Sequence, residues 1–197
     1  MIAGIILAAG ESQRMGRDKA LLTYHGKTFL ETILQNLSAA GIDKITVVLG
    51  HHAELIQAKV NLAAAQVVVN REYERGQTSS LQAGLEAMAT DQPDAVMLCL
   101  VDHPAVSAEV IAKLKQQFES TRPPVLIPTH RGERGHPVVI SKALFPELLA
   151  LSPGEPASAV IRKYRPETQF IEVADRGILI DVDEPRTYER LEEDRRQ

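Results

Sequence analysis

The chain has 197 residues, of which 44% are hydrophobic and 24% are charged, and its formal net charge is -4. This composition is typical of a globular protein with one full core and excludes a disordered or fibrous chain. The acidic balance argues against nucleic acid as the main partner, because phosphate backbones require a basic protein face. The single cysteine, Cys99, excludes a disulfide framework and indicates a reducing, cytoplasmic location. No apolar run approaches the roughly 20 residues of a membrane span, so we expect no membrane contact.

Short apolar runs alternate with longer amphipathic stretches over the first two thirds of the chain. The apolar runs predict strands at Ile2–Leu7, Lys44–Leu49, Gln66–Asn70, Ala95–Leu100 and Pro124–Pro128. The amphipathic stretches predict helices at Thr28–Ala40, Ala53–Ala64, Ser79–Ala89 and Ser107–Glu119. Because several strands are continuously apolar, the order predicts an α/β, doubly wound, mostly parallel sheet with helices on both faces.

The rhythm changes after Pro128, where short segments lie between loops rich in proline and glycine. These segments are Pro137–Ile140, Phe170–Val173 and Ile178–Asp181. We expect at least one short antiparallel strand in this last third, followed by a final helix at Pro185–Glu193. No internal repeat or linker divides the sequence, so we expect a single domain over residues 1–197.

The loop after the first predicted strand combines small residues with two separated cations, Arg14 and Lys19. Small residues let the backbone approach a ligand closely, and successive N–H groups can form an anion-binding nest. Arg14 can bind phosphate oxygens with two donors, and Lys19 supplies a compact charge. The loop matches neither of the common glycine-rich phosphate motifs. On these residues alone, a phosphate site and a loop with solvated charges are both open.

The same loop resembles the signature of the nucleotidyltransferases typified by the molybdenum cofactor enzymes. The matching residues follow the pattern L-A-A-G-x-S-x-R-M-G-x-x-K and are Leu7, Ala8, Ala9, Gly10, Ser12, Arg14, Met15, Gly16 and Lys19. The resemblance implies a Rossmann-like nucleotidyltransferase fold. It also implies that Arg14 and Lys19 neutralise the triphosphate of an NTP, while the backbone from Leu7 to Gly10 lies against the nucleotide.

A second segment, Gly76–Gly84, resembles the family's G-x-x-x-S-L-x-x-G stretch at the start of a helix. The resemblance implies nucleotide contacts for Gln77 and for at least one of Ser79 and Ser80. Without it, a serine at a helix start more often caps the helix. Asn70, at the end of the third predicted strand, either contacts the nucleotide or caps a turn.

Two further segments resemble the family's metal-binding elements. Leu100–Pro104 resembles Leu-x-Asp-x-Pro, which implies that Asp102 binds Mg²⁺, and we expect the adjacent His103 to be a neighbour of the metal and not a ligand. Residues 181–185 resemble the closing D-x-D-x-P stretch, which supplies a second carboxylate. Asp183 is the first choice for that ligand and Asp181 the second, with the other free to cap the last helix.

The stretch from Arg134 to Pro137 resembles a G-H-P segment on the acceptor side of the family's site, which implies that His136 lies near the acceptor. Ala9 and this segment favour a cytidylyltransferase, whereas Asp18 before Lys19 is more typical of guanylyl-transferring relatives. We therefore expect CTP as the preferred nucleotide, with GTP as the alternative.

Together the resemblances imply a Mg²⁺-dependent transfer of a nucleotide from an NTP to a phosphorylated small acceptor, with release of pyrophosphate. Arg14, Lys19 and Asp102 are the expected catalytic residues. A molybdopterin-type cofactor is the leading acceptor, and a molybdoenzyme or its maturation factor is the implied protein partner. Two alternatives remain. One is a nucleotide-binding regulator or cofactor carrier without turnover. The other is a glycosyltransferase that uses a sugar nucleotide, although the D-x-D motif of this chain lies near its end instead of mid-chain.

Overall fold

The computed structural model describes residues 1–194 and contains ten strands and seven α-helices. The strands are β1 (Ile2–Ala8), β2 (Thr23–Tyr24), β3 (Lys27–Thr28), β4 (Ile45–Leu49), β5 (Gln66–Val69), β6 (Ala95–Leu100), β7 (Val125–His130), β8 (Glu133–Arg134), β9 (Val138–Ser141) and β10 (Gln169–Glu172). The helices are α1 (Phe29–Ala39), α2 (Ala53–Lys59), α3 (Gln77–Ala87), α4 (Ala108–Thr121), α5 (Phe145–Leu149), α6 (Ser158–Lys163) and α7 (Pro185–Asp194).

Eight strands form one sheet, with seven in the order β10-β7-β9-β6-β1-β4-β5 and β8 paired with β7 at its side. The β1–β4, β1–β6, β4–β5 and β7–β10 pairs are parallel. Strand β9 runs antiparallel to both β6 and β7, and β8 runs antiparallel to β7. The predicted α/β fold with a mostly parallel sheet and an antiparallel element in the last third is confirmed. Strands β2 and β3 form a separate small hairpin.

Helices cover both faces of this sheet. Successive side chains of β1 point to opposite faces, so each helical layer packs on apolar residues of the same strand. Ile6 packs in one buried cluster with residues of α1, α2 and α4, whereas Ile5 packs in a second cluster with residues of α3, α5 and α6. Helix α1 begins at a capping box, in which Glu31 N donates to Thr28 Oγ1 and Thr28 N donates to Glu31 Oε2. The strand and its two helical layers therefore fix the edge at which the loop after β1 emerges.

Of the three short segments in the last third, Ile178–Asp181 is not a strand. Residues Arg176–Leu179 form a 3₁₀ turn instead. Gly177 packs so closely on the Ala105 carbonyl that a Cβ atom would clash there, and the buried Ile178 accepts a hydrogen bond from His136 N at 3.0 Å. The turn thus buries the apolar residue without a strand partner.

The second predicted helix, Ala53–Ala64, is too long, since α2 ends at Lys59 where Val60 adopts extended backbone and is buried. The short helices α5 and α6 were not predicted. No helix within residues 1–194 combines the length and apolar character needed to cross a bilayer.

Candidate active site

A cavity of about 260 Å³ lies at the edge of the sheet where the parallel strands β1 and β6 end. In open α/β sheets this carboxyl-end edge is where ligands bind. The lining residues come from the loop after β1, the segment before and within α3, and the end of β6 with the turn after it. They include Leu7, Ala8, Ala9, Gly10, Ser12, Asp18, Lys19, Tyr73, Gly76, Gln77, Ser80, Leu100 and Asp102. Most of the residues predicted to bind the nucleotide are therefore brought together.

The loop after β1 folds back on itself and directs Lys19 into this cavity. Ser12 adopts left-handed backbone with φ of 53°, and its Oγ accepts a hydrogen bond from Lys19 N at 3.2 Å. Ser12 O also accepts from Gly16 N at 3.0 Å, and Gly16 has a φ of 69° that favours glycine. The Lys19 side chain is only 11% exposed. The spacing of the motif therefore places a buried ammonium at the sheet edge.

A tight contact supports the opposite wall of the loop. His51 N donates to Ala9 O at 3.1 Å, and a Cβ atom on Gly50 would lie 2.7 Å from both that oxygen and Tyr73 Cβ. The Tyr73 hydroxyl lies 3.2 Å from His51 Nδ1. Gly50 is thus needed for the close approach of β4, the Ala9 backbone and Tyr73.

Lys19 bridges two carboxylates that are far away in sequence. Its Nζ donates to Asp102 Oδ2 at 3.0 Å and also to Asp183 Oδ1, while Arg14 Nη2 donates to Asp183 Oδ2 at 2.5 Å. Burial lowers the pKa of Lys19, but the hydrogen bonds and charges of Asp183 and Asp102 outweigh it and leave that pKa raised. The hydrogen bond from Lys19 is the main cause of a lowered pKa at Asp183. Four of the predicted site residues therefore form one ionic network.

Asp102 also faces a second set of residues with its other oxygen. Oδ1 is buried, has no hydrogen-bond partner within residues 1–194, and lies 3.9 Å from His103 Nε2. Ligand atoms of Asp102, His103 and Asp181 all lie within 4.8 Å of one another. Partial burial, followed by the charges of Asp102 and Asp183, raises the pKa of Asp181. A buried, unbonded carboxylate oxygen among such groups fits a divalent cation.

The closing D-x-D segment is held in place by the residue between its two carboxylates. Val182 N donates to Asp102 O at 2.9 Å, and the fully buried Val182 side chain packs with Met15 of the loop after β1. Asp183 then pairs with the lysine and arginine, while Asp181 lies in one group with Asp102 and His103. Which of the two ligates a metal stays a prediction.

Asn70 holds the start of α3 in place. Its Nδ2 donates to Ser79 Oγ at 2.9 Å and to Ser80 Oγ at 3.1 Å, and its Oδ1 accepts from Glu72 N at 2.9 Å. Ser79 Oγ also donates to Gly76 O at 2.8 Å. Ser80 lines the cavity, as does Gln77 of the same helix, whereas Asn70 and Ser79 support the wall from behind.

His136 packs against His103, with ring centroids 4.8 Å apart. Its Nδ1 is buried without a hydrogen-bond partner in the described part of the chain, and the ring lines a small apolar cavity with Cys99. Burial, and then the neighbouring His103, lower the pKa of His136 to about 4. Burial also lowers the pKa of His103. The acceptor role of His136 stays a prediction, since this structure shows the ring behind His103.

A second, open groove lies beside Asp181, and no sequence motif predicts it. The groove has a volume of about 950 Å³, and its lining includes Arg131, Arg176 and Arg190. These arginines lie on separate loops and on α7, so no motif connects them. In the sequence, Asp18 bears only on the choice of base, but its side chain also lines the main cavity, and Asp18 Oδ2 lies 3.0 Å from His52 Nδ1.

The family model for the MobA-like NTP transferase domain matches residues 4–168. The chain belongs to this family. The matched range contains the loop after β1, the start of α3 and Asp102, so the resemblance that these motifs carry is confirmed. The MobA-like chain is accordingly an enzyme of the nucleotidyltransferase class.

Several known proteins resemble this MobA-like chain along most of their length. The nicotine blue oxidoreductase of Paenarthrobacter nicotinovorans is 30% identical over 202 residues, which cover 96% of both proteins. The molybdenum cofactor cytidylyltransferase of Escherichia coli (strain K12) is 25% identical over 187 residues, covering 93% of this chain and 92% of that protein.

Among solved structures, Rv0371c from Mycobacterium tuberculosis H37Rv has a TM-score of 0.86 with 30% identity, covering 98% of this chain and 97% of that one. A complex of Rv0371c with manganese has a TM-score of 0.82 with 27% identity and covers 98% of each chain. These structures therefore share the overall fold of this chain.

Proposed function

We propose that the chain is a Mg²⁺-dependent cytidylyltransferase that transfers CMP from CTP to a phosphorylated small acceptor and releases pyrophosphate. The observation that carries this proposal is the ionic network of Arg14, Lys19, Asp102 and Asp183 beside the main cavity. In this network, the two cations that would bind the phosphates lie next to the carboxylates that would bind a metal. A molybdopterin-type cofactor is the proposed acceptor.

In the proposed reaction, an acceptor phosphate oxygen attacks the α-phosphorus of CTP. A new P–O bond forms, the bond to the β-phosphate breaks, and pyrophosphate leaves with the electron pair. Positioning and charge stabilisation dominate such a reaction. Lys19 and Arg14 exchange their carboxylate partners for phosphate oxygens, and they stabilise the negative charge that builds on the leaving group. The backbone of Ala8, Ala9 and Gly10, with Gln77 and Ser80, holds the nucleotide in the cavity.

The residues present also fit a divalent cation, because Asp102 Oδ1 is buried without a hydrogen bond and faces further ligand atoms. Asp102, with Asp183 as the first choice of second carboxylate and Asp181 as the alternative, would hold Mg²⁺. When bound, the ion supplies charge neutralisation at the phosphate oxygens. The manganese complex of Rv0371c supports a divalent cation in this fold.

Three arginines line the groove beside Asp181, together with the carboxylates of Glu133, Asp181 and Glu193. None of the ion pairs found among the side chains of residues 1–193 involves these arginines, which supports their use by an anionic acceptor. The cytidylyltransferase name of the Escherichia coli relative supports CTP and a molybdenum cofactor acceptor. A molybdoenzyme or its maturation factor is the protein partner that this product would require.

The proposed enzyme is a single NTP-transferase domain, since one sheet takes strands from residues 2–172. A cytoplasmic location suits its one cysteine, Cys99, which is buried and unpaired.

A thermal-shift panel of the four NTPs with Mg²⁺ tests the nucleotide assignment. A ligand that binds only the folded state raises stability with ln(1 + [L]/Kd), so CTP should raise Tm more than GTP, ATP or UTP does. A larger shift with GTP would contradict the CTP assignment.

Two other functions give different results in the same reaction mixture. A regulator or carrier would bind CTP without releasing pyrophosphate, and a glycosyltransferase would consume a sugar nucleotide instead. The relative named as an oxidoreductase is similar over 96% of this chain, so similarity alone does not determine the reaction. The decisive readout is therefore pyrophosphate release and not nucleotide binding alone.

A further inference from the structure

The two oxygens of Asp102 have different surroundings. Oδ2 accepts the hydrogen bond from Lys19 Nζ at 3.0 Å. Oδ1 is buried and has no hydrogen-bond partner in residues 1–194. Buried polar atoms are nearly always bonded, so an unbonded carboxylate oxygen beside a binding site points to a group that is bound there in the working protein.

His103 lies on the Oδ1 side of Asp102. Its side chain is only 10% exposed, and its Nε2 lies 3.9 Å from Asp102 Oδ1. The backbone turn that carries it is closed by a hydrogen bond from His103 N to Leu100 O at 3.1 Å, and the His136 ring packs against it. The imidazole is therefore held in one place by packing.

Asp181 completes the group, with its ligand atom within 4.8 Å of those of Asp102 and His103. A cation with bonds of about 2.1 Å keeps ligand atoms about 3.0 Å apart at right angles and about 4.2 Å apart on opposite sides. The 3.9 Å separation of Nε2 and Oδ1 falls inside that range. A contraction of less than about 1 Å brings every pair into it.

Asp183 lies on the other side of Asp102. It pairs with Lys19 and Arg14, so its two oxygens already have cationic partners. The closing D-x-D segment thus sends one carboxylate to the phosphate-binding cations and the other to the histidine.

We propose that His103 is a direct ligand of the divalent cation and not only its neighbour, together with Asp102 and with Asp181 in place of Asp183. This inference rests on the proposed function, since it concerns the same site, and it adds a nitrogen donor to a set otherwise made of oxygens. Imidazole favours Co²⁺ and Ni²⁺ over Mg²⁺, whereas carboxylates alone suit Mg²⁺ and Mn²⁺. The site therefore binds Co²⁺ and Ni²⁺ more tightly than its two carboxylates alone would.

Electron spin echo spectroscopy of the full chain loaded with Mn²⁺ alone tests the ligand directly. The wild-type protein should show coupling between the ion and a directly bonded imidazole nitrogen. His103→Asn should lose this coupling, and His25→Asn, at an exposed turn position, should keep it. Bound Mn²⁺ without nitrogen coupling in the wild type, or coupling that persists in His103→Asn, overturns the proposal.

Calorimetric titration with single metals gives a second, independent measure. His103→Asn should weaken Co²⁺ binding by at least about tenfold and Mg²⁺ binding by less than about threefold, because the lost donor is a nitrogen. Equal losses for both ions overturn the proposal.

Asp181→Asn, at an exposed position, should weaken the binding of both ions, and Asp183→Asn should weaken it less. The reverse order would remove Asp181 from the ligand set.

These measurements require neither nucleotide nor turnover. If His103→Asn does not fold, His103→Gln takes its place in the spin echo comparison. Nitrogen coupling without pyrophosphate release would count against the proposed function alone. Normal pyrophosphate release without nitrogen coupling would count against the histidine ligand alone.

Discussion

Replacing Lys19 with methionine should change metal affinity and turnover in opposite directions. Lys19 Nζ donates to Asp102 Oδ2 at 3.0 Å and also to Asp183. The ammonium therefore lies against Asp102, the carboxylate that would also hold the cation. Methionine retains much of the length of the side chain and removes the charge.

The magnitude follows from the charges involved. A divalent cation on the Oδ1 side of Asp102 would lie about 6 Å from the ammonium, and their repulsion is about 1.4 kcal/mol in water and about 5.5 kcal/mol at an effective dielectric constant of 20. The partly open cavity places the effect near the lower value. Lys19→Met should therefore tighten Mn²⁺ binding about tenfold, which corresponds to about 1.4 kcal/mol.

Turnover should fall in the same variant, because Lys19 would no longer stabilise charge on the leaving pyrophosphate. Loss of one such preorganised group costs about 10²–10³ in kcat. Mn²⁺ binding is measured by titration without nucleotide, and kcat by pyrophosphate release. Lys27→Met, at an exposed position of β3, is the matched control and should change neither quantity.

The reasoning would be refuted if Lys19→Met bound Mn²⁺ no more tightly than the wild type. Such a result would mean that Lys19 does not compete with the cation for Asp102. Unchanged turnover would remove Lys19 from the proposed catalytic group.

Two further predictions concern stability. His136 has a folded pKa of about 4, below the ordinary 6.5. As pH falls through 6.5, His136 takes up a proton in the unfolded chain before it does so in the folded chain. Its contribution to the free energy of unfolding is therefore complete above about pH 6.5 and declines towards about pH 4. When the pH is lowered from about 7.5 to about 5, the unfolding free energy measured in urea should fall by about 2 kcal/mol more for the wild type than for His136→Gln. Equal losses in the two proteins would contradict the lowered pKa of His136. Gly50→Ala should lower unfolding free energy by about 1–3 kcal/mol and weaken CTP binding, because the new Cβ meets Ala9 O and Tyr73 at 2.7 Å. Gly10→Ala, whose Cβ would have nothing within 4 Å, should leave stability nearly unchanged, and the same loss in both variants would exclude steric contact as the cause.

The central strands could be predicted because their residues are apolar on both faces. All seven residues of β1 are buried, and no polar position interrupts the run. The site loop could be recognised because its small residues and cations stand at fixed spacings within one segment. The α/β class and the phosphate-binding hypothesis therefore required only local information.

The different contacts of Asp181 and Asp183 could not be predicted from the sequence, because they depend on the path of the chain. It depends on Val182, which is buried against the loop after β1 and bonded to the Asp102 carbonyl, and the spacing of the two carboxylates does not reveal this. The position of the His103 ring likewise depends on a distant segment, since His136 packs on it from a later loop. Asn70, read as either a ligand or a turn residue, supports both serines of α3 through its side chain.

The most direct test of the account is pyrophosphate release from CTP in the presence of Mg²⁺ and molybdopterin, comparing the wild type with Asp102→Asn. The substitution preserves the shape of the side chain and removes its charge, so the fold should remain, as circular dichroism would verify. The wild type should release pyrophosphate only when both Mg²⁺ and the acceptor are present. Asp102→Asn should lose at least about 10³-fold in kcat, because the charge at the centre of the site is gone. Equal release by both proteins would contradict the role of Asp102 and with it the assignment of this edge of the sheet as the site of nucleotidyl transfer.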